Sequence, residues 1–368
     1  MDYARGSAPG RLDLLGGVAD YSGALVLEVP TYRSTEVVAV PHETFAVGPV
    51  QLGPEEIVRL ARLGYDEVRR DLEPLPKWTH YLFGVAIVLT KHGVIHPSPV
   101  RLEVVSDVPV AVGVASSAAL EVSVARALGA ELDPLRLAAM CQEAENHVVG
   151  APCGIMDQVA VAAGVPGSVL PLLCRPASLR PTVPLPPGVD VVGWPSGAQH
   201  EVSGRPYRRT RAAAFMGKRI VEHAAGRSWL WVSELPAPEV ARLPEVLEGS
   251  AYLDRWVGTD DDLTSVDPSD EYPVRAAVLF GLEEHERSER ALAALLHRDP
   301  GSLGPLMQAS DSAYAAMGLG HPAAAAVVEE ALARPGVFGA RSSGGGCGGT
   351  VVVACRAGAL DDVDGLIR

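Results

Sequence analysis

The segment PVAVGVASSAALEVSVARAL, residues 109–128, decides how the rest of the chain is read. It sets Gly113, Ser116 and Ser117 immediately before AALEVSVARAL, whose apolar residues recur at helical spacing. The first amides of a helix lack intrahelical partners and the macrodipole is positive there, so the junction suits a phosphate, and Gly113 lets the backbone approach it closely. An isolated serine at a helix start is more often a simple N-cap. Two further stretches stand out. APGRLDLLGGVADYSG, residues 8–23, sets Arg11, Asp13, Asp20 and Tyr21 among glycines ahead of a strand; taken alone it reads as a polar turn. GARSSGGGCGGT, residues 339–350, carries six glycines in twelve positions. Such density permits positive φ and close approach to a ligand, and it also fits a flexible surface loop. Neither common nucleotide fingerprint is present: the Gly217–Lys218 step is followed by Arg219, and no GxGxxG opens a βαβ unit.

A length of 368 residues suggests two domains at a prior of ~150 residues each. With 48% hydrophobic and 21% charged residues and a mean hydropathy of +0.16, the composition is globular. The net charge of −14, without any run of lysine or arginine, disfavours nucleic acid as a partner. Five cysteines form no CxxC pair, and neither a signal core nor an apolar run of ~18 residues occurs. The expectation is a cytoplasmic protein with no membrane contact.

Coarse patterning predicts two strands, as a hairpin, between Leu25 and Val40, and one helix from Pro54 through Leu72. Further helices are expected in WTHYLFGVAIVLTKHG, ended by Gly93, after residue 117, and after Pro134 through Val149. A proline-rich stretch from about Leu170 to Pro195 marks the domain boundary, giving domains 1–185 and 186–368. Helices follow around Tyr207–His223, Glu283–Leu296 and Ala323–Ala333, then a strand in GGTVVVAC and a short terminal helix.

The three stretches, in chain order, resemble the three motifs of the GHMP kinases (galactokinase, homoserine, mevalonate and phosphomevalonate kinases). APGRLDLLGGVADYSG is similar to the galactokinase signature, and CQEAENHVVGAPCGIMDQ, residues 141–158, to a galactokinase-type segment. GGVADYSG, RRTRAAAFMGKRI and YPVRAA look more like plant-type L-arabinokinases. The resemblance implies an α+β GHMP kinase fold. Its N-terminal domain is α/β, its C-terminal domain is α+β and ferredoxin-like, and the active site lies in the cleft between them. It implies an ATP- and Mg²⁺-dependent sugar 1-kinase, expected to act on the anomeric hydroxyl of L-arabinose or a close analogue, and a monomer or weak homo-oligomer.

Carried over residue by residue, Asp157 matches the catalytic aspartate and Arg11 the arginine beside it. Ser117 and Glu145 match the magnesium ligands. Gly113, Ala115, Ser116, Ser117 and Ala118 match the phosphate loop, Trp78 and Tyr81 resemble aromatics near the nucleotide, and Gly345 and Gly346 belong to the third motif. Asp20, Tyr207 and Gly154 match sugar contacts. Gly17 and Val18 stand where galactokinases have a Glu-His pair that reaches the outer sugar hydroxyls. L-arabinopyranose shares the ring hydroxyls of D-galactopyranose and lacks the exocyclic carbon, so a pentose site would lose those partners, and Gly17→Glu with Val18→His should narrow the gap in kcat/KM between L-arabinose and D-galactose. A rival expectation is that Gly17 opens room for a larger or phosphorylated substituent, with Arg205, Arg208 or Arg209 to receive it. Galactokinase, a kinase of a modified sugar or cyclitol, and a catalytically silent sugar and ATP sensor stay open as alternatives. The joint presence of Arg11, Ser117, Glu145 and Asp157 argues against the sensor.

Overall fold

The computed structural model describes residues 4–198 and 204–368. They divide into two compact units, each assembled from separate stretches of chain. The first holds residues up to Arg11, Pro30–Val110 and Ala115–Pro166; the second holds Leu12–Val29, Ala111–Val114 and Gly167–Arg368.

In the first unit Thr35–Pro41 pairs antiparallel with Val100–Ser106, which runs parallel to Phe45–Val47, itself antiparallel to Val50–Leu52. Thr35, Val37 and Ala39 are buried and alternate with more accessible neighbours, the period of two expected of a sheet with one covered face. Helices Pro54–Ala61, Tyr65–Leu72, Lys77–Lys91, Ser116–Ala127, Pro134–Glu143 and Met156–Ala163 belong to the same unit. Leu82 through Leu89 are all buried, so the middle of Lys77–Lys91 is covered on every side. Ser123 ties its helix to the sheet, its hydroxyl donating to the Thr35 carbonyl at 2.9 Å.

Three of the elements expected before residue 150 differ. The region from Leu25 to Pro41 is one long strand rather than a hairpin. Pro30 falls between Leu25–Glu28, paired with Leu170–Leu173, and Thr35–Pro41, paired with Val100–Ser106, so its missing N–H costs neither of these two pairings a bond. The helix expected from Pro54 to Leu72 breaks at Gly64, whose N–H is taken by the Glu67 carboxylate at 3.0 Å as the second helix starts. The helix after Pro134, capped by Asp133 on the amides of Leu135 and Arg136, changes at Ala144–Val149 into a π-helix.

In the second unit Thr350–Arg356 is the central strand of an antiparallel sheet, between Val337–Ser342 and Val189–Pro195. Helices Arg205–Ala225, Val274–Leu296 and Leu303–Ala316 enclose a core that includes Val18, Tyr21, Tyr207, Phe280 and Tyr314. The expected terminal helix is replaced by turns, and Ile367 forms a two-bond bridge with Gly193. Among the described residues no helix is long and apolar enough to cross a membrane.

Candidate active site

At the start of the Ser116–Ala127 helix the cap position is Ala115, not a serine, and its φ of 59° is left-handed. Ser116 and Ser117 therefore enter the helix as its first two residues and are not N-caps. Gly113 has φ 78°, and Ala111, at 58°, is also left-handed. Of the four described non-glycine residues with positive φ, three (Ala111, Ala115 and Cys347) lie in the stretches 109–128 and 339–350. Such conformations persist only where the surroundings enforce them, and they cluster at ligand sites.

Four side chains meet in the interior of the first unit. Arg11 donates from Nε at 2.9 Å and from Nη2 at 2.7 Å to Oδ1 of Asp157, in the first turn of the Met156–Ala163 helix. The Arg11 side chain is 3% exposed and that of Asp157 19%, so the pair sits at the edge of solvent. Glu145 lies on the π-helix, a conformation that recurs at functional sites because it re-aims one side chain. Its carboxylate accepts from Gln158 Nε2 at 2.6 Å and is hydrogen-bonded to Ser117 and to the Cys153 thiol. Burial, and after it the negative charge of Asp157, pushes the Glu145 carboxyl up to about 7, against the pull of those hydrogen bonds. Asn146 holds the following loop by accepting from the Cys153 amide at 2.7 Å. Gly154 lies buried in that loop.

Two members of this cluster were not anticipated. Gln158 spans two acids, donating to Glu121 Oε2 at 3.3 Å as well as to Glu145. Glu121 is fully buried, and burial followed by the proximity of Glu145 raises its carboxyl well above the ordinary range. A signal existed: Glu121 is four residues after Ser117 and so shares its helix face. Glu143, which the sequence leaves beside Glu145, is instead held on the surface by Tyr65 and His92. Trp78 is half exposed, with Gly48 against its ring, while Tyr81 is more buried, and its hydroxyl is raised by burial and then by Glu145 and Glu121.

In the second unit Asp13, fully buried, accepts from the amides of Gly17 and Gly344, both at 3.0 Å, and from Arg341 Nη1 at 2.9 Å. The first and third glycine-rich stretches are thus joined through one carboxylate. Gly17 and Val18 are buried, and the Val18 amide donates to Tyr314 Oη at 3.0 Å. Asp20 is buried and accepts from the Tyr21 amide. Tyr207 packs edge-on against Tyr21 with ring centroids 6.1 Å apart, and Arg211, paired twice with Asp261, lies over the Tyr21 ring. Gly346 has φ 75° and packs against Leu319 and Tyr314, which leave no room for a side chain there; Gly345 lies beside it in the same loop. Arg205 is engaged by Asp270 at the surface.

Comparison with known proteins gives the chain's family. The N-terminal domain of the GHMP kinases matches residues 80–165 and their C-terminal domain residues 291–363. The L-arabinokinase of Arabidopsis thaliana is 30% identical over 95% of this chain, which spans only 42% of that longer relative. The galactokinases of Chloroflexus aggregans and Homo sapiens are 32% and 33% identical, each over 96% of this chain and 84% of the relative. Among solved structures, Lactococcus lactis galactokinase complexed with galactose matches with a TM-score of 0.78 at 19% identity, covering 98% of this chain and 87% of that one. Methanococcus jannaschii mevalonate kinase matches at 0.59 and 13% identity, covering 100% and 96%. These structural likenesses speak for the α+β fold alone, whereas the sequence relatives carry the kinship further: the chain belongs to the GHMP kinases, as a phosphotransferase of the galactokinase and L-arabinokinase type of sugar kinase.

Proposed function

We propose that this chain transfers the γ-phosphoryl group of ATP to the anomeric hydroxyl of L-arabinose or a close pyranose analogue, with Mg²⁺. The observation that carries the reading is the Arg11–Asp157 pair beside Ser117 and Glu145. Phosphoryl transfer needs an oriented hydroxyl, charge stabilisation at the transferring group and a held triphosphate. Asp157 takes the proton of the sugar hydroxyl as its oxygen bonds to the γ-phosphorus and the bond to ADP breaks. Arg11 fixes the carboxylate through two N–H groups and sets a permanent cation where charge develops. The amides and serines that open the Ser116–Ala127 helix receive phosphate, with Gly113 and Ala118 allowing the approach and Trp78 offered to the base.

The residues present fit a magnesium ion. Ser117 and Glu145 supply two hard oxygen donors that already face each other, and the Glu145 carboxyl is one that a nearby cation would stabilise as an anion. Among the described residues no group of three or more His, Cys, Asp and Glu side chains is arranged for a metal. A sparse donor set of this kind suits an ion that keeps waters and phosphate oxygens. Bound there, the ion supplies charge neutralisation on the phosphates.

For the sugar, Asp20, Tyr207 and Gly154 are assigned to the ring hydroxyls, and Gly17 with Val18 to the wall facing the C5 substituent. That wall bears no polar side chain, and both its amides are committed, Gly17 to Asp13 and Val18 to Tyr314. A hydroxymethyl group would find no uncommitted N–H donor and no polar side chain on these two residues, which supports a pentose. Discrimination by size and desolvation of one carbon is worth ~10–200-fold in kcat/KM. Among the described residues no cysteine is in a disulfide, which supports a reducing, cytoplasmic setting.

The test is ATP turnover by the purified chain with L-arabinose, D-galactose, a C6-modified sugar, a sugar phosphate and a cyclitol. L-arabinose should lead. Equal or better turnover of D-galactose refutes the pentose assignment, and no sugar-dependent turnover at all refutes the kinase and leaves a sensor.

A further inference from the structure

Tyr314 lies on the Leu303–Ala316 helix, fully buried, and no feature of the sequence draws attention to it. Its Oη accepts from the Val18 amide at 3.0 Å and donates to the Gly344 carbonyl at 2.6 Å, so one hydroxyl holds the first and third glycine-rich stretches. Its ring is fixed edge-on to Phe280 at 5.2 Å, with Arg341 over its face at 4.9 Å. A Cβ on Gly17 would lie 1.7 Å from Oη and 2.9 Å from Cζ of this tyrosine, and one on Gly346 would lie 2.9 Å from Cδ1. Glycine at 17 and at 346 is therefore what a tyrosine at 314 demands.

We infer that Tyr314 is a specificity-determining residue: it fills from behind the volume that a side chain at position 17 would occupy and keeps the Gly17–Val18 wall closed against a polar C5 substituent. The inference rests on the sugar-kinase reading above. It turns aside the expectation that Gly17 marks added room, because the direction of the missing side chain is filled. It also corrects the expectation for Gly17→Glu with Val18→His: a glutamate at position 17 collides with Tyr314 and must adopt the left-handed φ of 49°. A side chain at 17 becomes possible only when Tyr314 is shortened.

The experiment measures kcat and KM for L-arabinose and D-galactose in the wild type and in Tyr314→Phe, Tyr314→Leu, Gly17→Glu and Tyr314→Leu/Gly17→Glu, with thermal melts of each. Tyr314→Phe releases the Val18 amide and should lower the arabinose-to-galactose ratio of kcat/KM several-fold through sugar KM, leaving KM for ATP unchanged. The double variant should lower the ratio by tenfold or more, while Gly17→Glu alone loses turnover of both sugars. A ratio within twofold of wild type in every folded Tyr314 variant overturns the inference, as does a Gly17→Glu protein as active and stable as wild type. If Tyr314→Leu does not fold, Tyr314→Phe decides alone. Absence of sugar-dependent turnover in the wild type is a different outcome, and it refutes the functional reading beneath.

Discussion

Replacing Asp13 by alanine tests the physical basis of the joint between the two glycine-rich stretches. Asp13 and Arg341 are both fully buried, and the guanidinium, whose burial alone would lower its pKa, is held raised on balance by Asp13. Removing the carboxylate strands a buried cation, a loss of about 3–5 kcal/mol. It also orphans the amides of Gly17 and Gly344, each worth ~1 kcal/mol or more. The expected total is about 5–7 kcal/mol, comparable with the whole stability of many domains. Arg341→Met should be milder, since Asp13 keeps two amide donors and methionine fills similar volume. The diagnostic is the sign of the coupling. Asp13→Ala/Arg341→Met strands no charge and should be more stable than Asp13→Ala by ~2 kcal/mol or more, read by urea unfolding or by recovery of soluble protein. A double variant no more stable than Asp13→Ala would refute the assignment of the cost to an unpaired cation.

Asp157→Asn and Arg11→Ala should each lower kcat by about two orders of magnitude or more with nucleotide affinity kept, as judged by steady-state kinetics and equilibrium titration, and near-normal turnover in either removes it from the chemistry. Glu145 is raised in the folded chain, so its contribution to metal-free stability is present below its ordinary value of 4.5 and lost as pH rises through about 7. Between pH 5 and 8 the Tm of the wild type should therefore fall relative to Glu145→Gln, and Mg²⁺ with nucleotide should close that gap above pH 7; parallel profiles would contradict this. Gln158→Leu removes the amide that spans Glu121 and Glu145, so the Mg²⁺ concentration for half-maximal rate should rise ~10–100-fold with sugar KM little changed. An unchanged Mg²⁺ requirement would mean that Gln158 does not orient Glu145.

Local chemistry made much of this protein legible in its sequence. Pro54 and Pro134 announced helix starts because a proline fits the first turn, where no amide bond is lost, and the stretch around Gly113, Ser116 and Ser117 announced a helix whose opening suits an anion. The resemblance carried Arg11, Ser117, Glu145 and Asp157, and in the fold these four meet. Periodicity failed where backbone detail decided: at Gly64, at the π-helix bearing Glu145, and at Pro30 within one continuous strand.

What no local pattern contained was the partner of each buried group. Gln158 bridges two acids, one of them 37 residues away, and Asp13 meets Arg341 across 328 residues. Tyr314 meets Val18 across 296, and the emptiness of Gly17 acquires its meaning only from that contact. Propensity and periodicity act over a few residues and fix which face of an element is buried. Which distant side chain fills a given volume or satisfies a given charge is set by close packing and by the cost of an unpaired buried group, and these exist only once the chain has folded.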